Sequence, residues 1–309
     1  MAESLPLDAT GYLAAPGFDA ELEADLGQVR IIGRRGRLYL AAGPPLPAAW
    51  CANVWWDPVQ ISVASIADAA RALRAIQRNW APPYLCRLHR RAALIQAALP
   101  HVSAKPLAFP TAPPSAPLGS WTLVDANTIL AAARCSSPFP NGEVAFVENR
   151  SAPPNRAYLK LWEALTQIGR HPQPGERCLD LGSSPGGWTW ALQSLGACVV
   201  SVDKAPLAPE IAALPNVEFR RMSAFALAPD DVGPVDWLFS DIVCYPTRLL
   251  GLVERWLQSG LARNLVCTIK FQGTTDHATA RRFAAIPGAR LTHLHHNKHE
   301  LTWMRLAEG

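Results

Sequence analysis

The stretch CLDLGSSPGGWTW, Cys178 to Trp190, does more than any other to limit what this chain can fold into. A short apolar run ends at Asp180, a loop of small residues follows, and an apolar helical pattern begins at once. An apolar run of that length bounded by glycine reads as a buried strand, and a strand feeding straight into a helix is the first half of a βαβ unit. The alternation continues on both sides. YLKLWEALTQI and TRLLGLVERWLQSG read as helices, as does a segment from about Thr275 to Ala285. ACVVSVD, VEFRR, VDWLFSDI and NLVCTIKF read as strands, and ARLTHLHH and ELTWMRL as two closing strands. Strands separated by helices predict an α/β fold with a doubly wound, mostly parallel sheet. The last two strands lie too close in sequence for a crossover, so the last one is expected to be antiparallel.

The part before this alternation has another character. KPLAFPTAPPSAPL, beginning at Lys105, cannot form a continuous helix or central strand, and SAPPNR from Ser151 makes a second break. These breaks suggest a smaller α+β domain over residues 1–104, a proline-rich linker over 105–150 and the α/β domain over 151–309. In the first of these, VRIIGRRGRLYLA reads as a hairpin turning between Gly33 and Gly36, and Ser65 to Gln77 as an Ala-rich helix. Two basic clusters, Arg34, Arg35 and Arg37, then Arg87, His89, Arg90 and Arg91, are candidate phosphate contacts or simply a solvated surface. No apolar run nears the roughly 20 residues of a membrane helix, so no membrane partner is expected. The seven cysteines are odd in number and never form a CxxC pair, which suits reduced thiols in a cytoplasmic compartment. Oligomeric state is not legible.

The glycine loop carries the first chemical signal. Gly182, Gly186 and Gly187 allow close approach of a ligand at the carboxyl end of the strand, where doubly wound folds bind cofactors. The loop is neither GxGxxG nor GxxxxGK[ST], which argues against a dinucleotide and excludes an ordinary P-loop. Asp203, at the end of VVSVD, is placed to accept both hydroxyls of a ribose. Asp180, the loop and Asp203 together suit an adenosine-containing cofactor without a pyrophosphate, which points to S-adenosylmethionine.

With these residues in view, DLGSSPGGW resembles the first motif of the FtsJ-type (RrmJ-type) ribose 2′-O-methyltransferases. That family carries a Lys-Asp-Lys-Glu tetrad. Matching contexts here are Lys160 in NRAYLKL, Asp241 in FSDIV, Lys270 in TIKFQG and Glu300 in KHELTWM. The resemblance spans roughly residues 150 to 307 and implies a Rossmann-like class I methyltransferase domain. It also implies Lys160, Asp241, Lys270 and Glu300 as the catalytic set. The cofactor would be held by Asp180, Gly182, Ser183, Ser184, Pro185, Gly186, Gly187, Trp188, Asp203, Ser223 and Asp241. AAPGFDAELEADL and SSPFPNG are similar to the RlmM-like branch, which modifies a cytidine of large-subunit ribosomal RNA and has a THUMP-like RNA-binding region ahead of the catalytic domain. That region looks abbreviated here. One departure is Ser223 in RRMSAF, where the family commonly has an acid facing the adenine amine; serine accepts a hydrogen bond without a charge.

The tetrad suits the reaction the resemblance implies. A ribose hydroxyl is a poor nucleophile until its proton is loosened, whereas a sulfonium methyl is already electrophilic, so a proton acceptor and alignment are what the protein must supply. Lys270 is the candidate acceptor, with steering of the hydroxyl lone pair by a charged Lys270 as its alternative. Of 29 basic residues only five are lysine, and arginine cannot give up its proton. Two other classes stay open: a catalytically silent RNA-binding module on the same fold, and a methyltransferase acting on a base, a protein or a small molecule. FSDIVCYP contains no NPPY of the kind base-modifying enzymes use. The four histidines His293, His295, His296 and His299 look like a metal site, but strand geometry turns His293 and His295 away from His296. No metal is expected, and Glu300 is taken as the functional residue of that stretch.

Overall fold

The computed structural model describes residues 4–307 and divides into two units; residues 1–3 and 308–309, within the expected domain spans, lie outside that range. One unit runs up to Leu107 and includes Pro113–Ala145; the other comprises Ala108–Ala112 and the chain from Phe146 onward.

The first unit is α+β. A five-stranded antiparallel sheet is ordered Ile31–Arg35, Leu38–Ala42, Ala9–Ala14, Cys51–Trp56, Arg134–Cys135. A four-stranded antiparallel sheet is ordered Ser4–Pro6, Val59–Ser62, Thr128–Ala132, Ser120–Asp125. The hairpin between Arg35 and Leu38 turns at Gly36, whose positive φ of 55° suits glycine. Helices Ile66–Ile76 and His89–Ala97 share a core with the four-stranded sheet through Leu73, Trp80, Ile95, Trp121 and Ile129.

Two expectations change here. Residues 120–135, expected within the linker, are strands of the first unit. No proline falls between Pro117 and Pro138, and an Asx turn, Asp125 Oδ1 accepting from Asn127 N at 2.8 Å, closes a hairpin. Its side chains alternate: Trp121, Leu123, Ile129 and Ala131 enter one core, Leu130 and Ala132 another. The first basic cluster is also largely engaged internally. Arg34 bonds to Asp19 and Glu23 at 2.9 and 3.2 Å and lies over the Tyr39 ring, while Arg37 donates to the Ala14 carbonyl at 2.5 Å. Arg87, His89 and Arg90 of the second cluster are exposed.

The second unit carries a seven-stranded sheet. Its strands are β1 (Arg177–Leu181), β2 (Cys198–Asp203), β3 (Val217–Arg221), β4 (Val235–Ser240), β5 (Ala262–Lys270), β6 (Ala289–Thr292) and β7 (Glu300–Arg305). Their order is β3-β2-β1-β4-β5-β7-β6. The first five pair in parallel; β7 is antiparallel to both β5 and β6. Helices α1 (Tyr158–Ile168), α2 (Gly187–Gln193), α3 (Pro209–Ala212), α4 (Pro229–Val232), α5 (Pro246–Ser259) and α6 (His277–Ala284) complete it. This is the Rossmann-like class I arrangement. Chain order reverses between β1 and β4, and in such sheets the crevice beyond the strand ends at that point is the ligand site. β7 is an interior strand, so Glu300 does not sit on a sheet edge.

Most strand positions in this sheet are buried on both faces, and Trp237 stacks on Phe239 within β4 at 5.6 Å between ring centroids. α1 is unusual because Tyr158 through Thr166 are all buried, Lys160 and Glu163 included. Charged groups at such positions are kept only with partners, so this helix marks where polar interactions must converge. Phe109, from the short segment that joins this unit, stacks on Trp162 of α1 at 5.0 Å.

The helix Ile66–Ile76 begins at Ser65, whose hydroxyl accepts from Asp68 N at 3.1 Å while Asp68 accepts from Ala64 N at 3.0 Å. Ser65→Ala is expected to cost about 1 kcal/mol by leaving a first-turn N–H without its cap. A lower denaturation midpoint at unchanged denaturant slope is the expected observation; an unmoved midpoint would show that the cap contributes nothing.

Candidate active site

β1 stops at Leu181 because Gly182, at φ 80°, turns the chain out of the sheet. A side chain could not replace its hydrogen: a Cβ there would lie 2.7 Å from Ile242 Cγ1. Gly182 N bonds to the Val202 carbonyl at 2.9 Å and Asp241 N to the Leu181 carbonyl at 3.2 Å, so the ends of β1, β2 and β4 are tied together. A second close approach locks the loop from the other side, where the Asn155 amide fills the space above Gly187.

Beyond these strand ends lies a cavity of about 400 Å³. Of the residues expected to hold a cofactor, Gly182, Ser184, Asp203, Ser223 and Asp241 form its walls, joined by Met222, Phe225, Ile242, Val243 and Arg248. Asp203 accepts from Ser184 N at 3.0 Å and from Ala205 N at 2.9 Å, one bond per oxygen. A carboxylate has about four acceptor sites, which leaves room for a diol. The apolar side chains suit a flat heterocycle, and the volume suits a nucleoside-sized group. Ser223 accepts from Phe225 N at 3.3 Å.

The other expected loop residues are placed differently. Ser183 and Trp188 are buried, and the Trp188 indole donates to the Ala157 carbonyl at 2.9 Å. Pro185, Gly186 and Gly187 shape the turn into α2 without forming the cavity wall. Asp180 is fully buried beneath the loop. Its Oδ2 accepts from Thr189 Oγ1 at 2.7 Å and its Oδ1 has no hydrogen-bond partner. Desolvation pushes its pKa up to about 7 against the bond from Thr189, and the charges of Asp241 and Asp203 add to the rise.

The four tetrad residues come together. Lys160 projects from α1, Asp241 follows β4, Lys270 ends β5 and Glu300 opens β7, directly opposite Lys270 in the antiparallel register. Lys160 Nζ lies 2.7 Å from Glu300 Oε1 and 3.0 Å from Asp241 Oδ1. Lys270 Nζ lies 3.2 Å from the same Asp241 oxygen and donates to the Asp241 carbonyl at 2.6 Å. Desolvation lowers the Lys160 pKa, but the charges of Asp241 and Glu300 outweigh it and leave this ammonium above its ordinary value. Lys160 is therefore a fixed cation that holds two carboxylates in place.

On the far side of the tetrad is a second cavity, about 640 Å³, formed by Asn155, Arg156, Leu159, Lys160, His296, Lys298 and Glu300 among others. Asp241 and Lys270 belong to the walls of both cavities. They are the junction.

The histidine stretch departs from the sequence expectation. β6 ends at Thr292, so His293 to His299 form a loop and the strand-face argument does not apply. What shapes the loop is Glu163, one helical turn after Lys160 on α1. Its carboxylate accepts from His295 N at 2.7 Å, His296 N at 3.0 Å and His296 Nδ1 at 2.7 Å. His293 Nε2 meets the Lys298 carbonyl at 3.0 Å, and His299 Nε2 meets Thr275 at 2.8 Å. Among the described residues no three His, Cys, Asp or Glu side chains come together as metal ligands. From the sequence the histidines, His296 among them, form a polar, RNA-facing border to the site, and Glu163 is missed. The signal was an acid three positions after Lys160 in an otherwise apolar helix.

A family model described as FtsJ-like methyltransferase matches residues 153–274. Ribosomal RNA large subunit methyltransferase M of Halorhodospira halophila is 36% identical over 174 residues, covering 53% of this chain and 50% of that protein. The protein of the same name from Alkalilimnicola ehrlichii is 30% identical over 295 residues, covering 90% of this chain and 75% of that protein. The chain thus spans about half the length of the first relative and three quarters of the second. Among solved structures, Aeropyrum pernix fibrillarin with natively bound S-adenosyl-L-methionine aligns at 18% identity and a TM-score of 0.35, over 48% of this chain and 75% of that one.

Asp180 generates a prediction. A carboxyl whose pKa rises on folding binds more protons folded than unfolded, so stability falls as pH increases from its unfolded value near 3.8 to about 7. The loss is on the order of 4 kcal/mol for a shift of this size. Asp180→Asn, which can still accept from Thr189, removes it. Across about pH 4 to 8 the melting temperature of the variant should climb relative to wild type, and a constant difference would contradict the buried-carboxyl assignment.

Proposed function

The chain belongs to the ribosomal RNA large subunit methyltransferase M family, and from that premise we propose that it transfers a methyl group from S-adenosylmethionine to a ribose 2′-hydroxyl of large-subunit ribosomal RNA, at a cytidine. The observation that carries this reading is the meeting of Lys160, Asp241, Lys270 and Glu300 where the two cavities join. The smaller cavity takes the cofactor, with Asp203 on the ribose diol and Met222, Phe225 and Ile242 against the adenine. When bound there, the cofactor supplies an electrophilic methyl group on a sulfonium. The larger cavity takes the RNA.

Lys270 is the proton acceptor in this reading. A neutral lysine amine has two N–H groups and one lone pair. Asp241 offers it two acceptors, its carbonyl and its carboxylate Oδ1, so both hydrogens can be placed and the lone pair remains for the proton of the 2′-hydroxyl. Lys160 stays charged and fixes Asp241 and Glu300, and Asp241 in turn fixes Lys270. Burial of Lys160 and Glu300 and their ion pairs hold this geometry before substrate arrives.

The N-terminal unit serves as the abbreviated THUMP-like RNA-binding region, ahead of the FtsJ-like domain. Its exposed Arg87, His89 and Arg90 are the contacts offered to phosphates, since Arg34 and Arg37 are spent on internal bonds. We place the protein in the cytoplasm, where ribosomal RNA is available. None of the described helices is long and apolar enough to cross a membrane.

The experiment is transfer of labelled methyl from S-adenosylmethionine to unmodified large-subunit ribosomal RNA, followed by nucleoside analysis. A 2′-O-methyl nucleoside is the expected product; a base-methylated nucleoside would overturn the assignment. Lys270→Arg should abolish transfer while leaving cofactor binding within about threefold of wild type, because arginine cannot accept the proton near neutral pH. Retained turnover in that variant would refute Lys270 as the acceptor.

A further inference from the structure

The larger cavity contains a group that the tetrad chemistry does not use. Glu163 is buried, with 2% of its surface exposed, and has no lysine or arginine partner among the described residues. It accepts from two backbone N–H groups, from His296 Nδ1 and, at 3.4 Å, from Gln167 Nε2. A carboxylate oxygen is an acceptor, so the 2.7 Å contact suits a hydrogen on Nδ1. In the neutral ring this makes Nε2, on the opposite side, a lone-pair acceptor. No described residue donates to that nitrogen, and the His296 side chain, 17% exposed, forms part of the cavity wall. The ring is held in place by Glu163 behind it and by Phe146 and His295 at 5.7 and 5.2 Å between centroids.

With the ring neutral, this is an oriented acceptor in a cavity whose other polar groups are mostly donors. Asn155, Arg156 and Lys298 offer N–H groups, and the carboxylates Asp241 and Glu300 are already engaged by Lys160. Donors suit phosphates. An isolated acceptor suits an uncharged donor, and on RNA that is a ribose hydroxyl or an exocyclic amine of a base. We propose that His296, oriented by Glu163, is a substrate-binding residue whose Nε2 accepts a hydrogen bond from such a donor on the RNA in the larger cavity. The inference rests on the methyl-transfer reading above and adds to it the group by which the acceptor strand is recognised. Glu163 acts through His296 as a positioning residue.

The test uses the full chain, labelled S-adenosylmethionine and synthetic RNA fragments spanning the methylated nucleotide. Around that nucleotide, single residues are replaced in turn by 2′-deoxy nucleotides or by bases lacking the exocyclic amine. One replacement should lower wild-type kcat/KM about ten- to a hundredfold, chiefly through KM, the size of one lost hydrogen bond in a buried site. A deoxy position identifies a hydroxyl, an amine-free base an amine. His296→Phe should lower kcat/KM on unmodified RNA by the same factor, leave cofactor affinity unchanged and be indifferent to that replacement. Glu163→Gln should show a partial loss of the same kind. The proposal fails if no replacement affects the wild type, a result that needs no variant to fold. It also fails if His296→Phe retains wild-type kcat/KM or is as sensitive to the replacement as wild type. Wild-type protein that methylates no RNA would instead bring down the underlying reading, and is told apart by activity on the unmodified fragment.

Discussion

The second unit is organised around a buried ammonium that cannot be left alone. Lys160 sits in a helix whose neighbouring positions are all buried, at 7% exposure, and removing an ion from water without a partner costs several kcal/mol. Asp241 and Glu300 supply the partners, and they come from the end of β4 and the start of β7. One ion cluster therefore fixes α1 against two strands that are distant in sequence. The glycine turn after β1 is drawn into the same arrangement through Asp241, whose backbone bonds to Leu181.

The same helix holds the other side of the site. Glu163, one turn from Lys160, grips the loop that leads into Glu300 through two backbone N–H groups and a ring nitrogen. α1 thus carries one buried cation and one buried anion with separate partner sets. Pairing Asp241 and Glu300 with Lys160 offsets much of what it costs to take these charges out of water. The open cavity beside the cluster keeps an excess of donors, in Arg156 and Lys298.

Much of this was legible in the sequence, for identifiable reasons. Helix and strand periods are local, so α1 and the helix beginning after Ser65 lie where the pattern puts them. The spaced contexts of Lys160, Asp241, Lys270 and Glu300 led to residues that do converge. What failed was non-local. Proline content hid a hairpin at Ser120 to Ala132 whose inward side chains are plain only once two cores are known. Charge counting could not tell that Arg34 faces Asp19 and Glu23. The internal bonds of the motif loop, Asp180 to Thr189 and Trp188 to the Ala157 carbonyl, likewise depend on neighbours that the pattern does not show. The histidine stretch lost its strand because a buried carboxylate 130 positions earlier competes for its backbone N–H groups.

The position of β7 has a temporal consequence. Glu300 lies on the strand that comes last in chain order, yet that strand is inserted between β5 and β6, both made earlier. During synthesis, β5 must wait with an open flank until β7 emerges from the ribosome and slots in. Until then Lys160 lacks Glu300, one of its two carboxylate partners. Insertion of β7 between two strands that precede it is therefore the step that completes the Lys160 ion cluster.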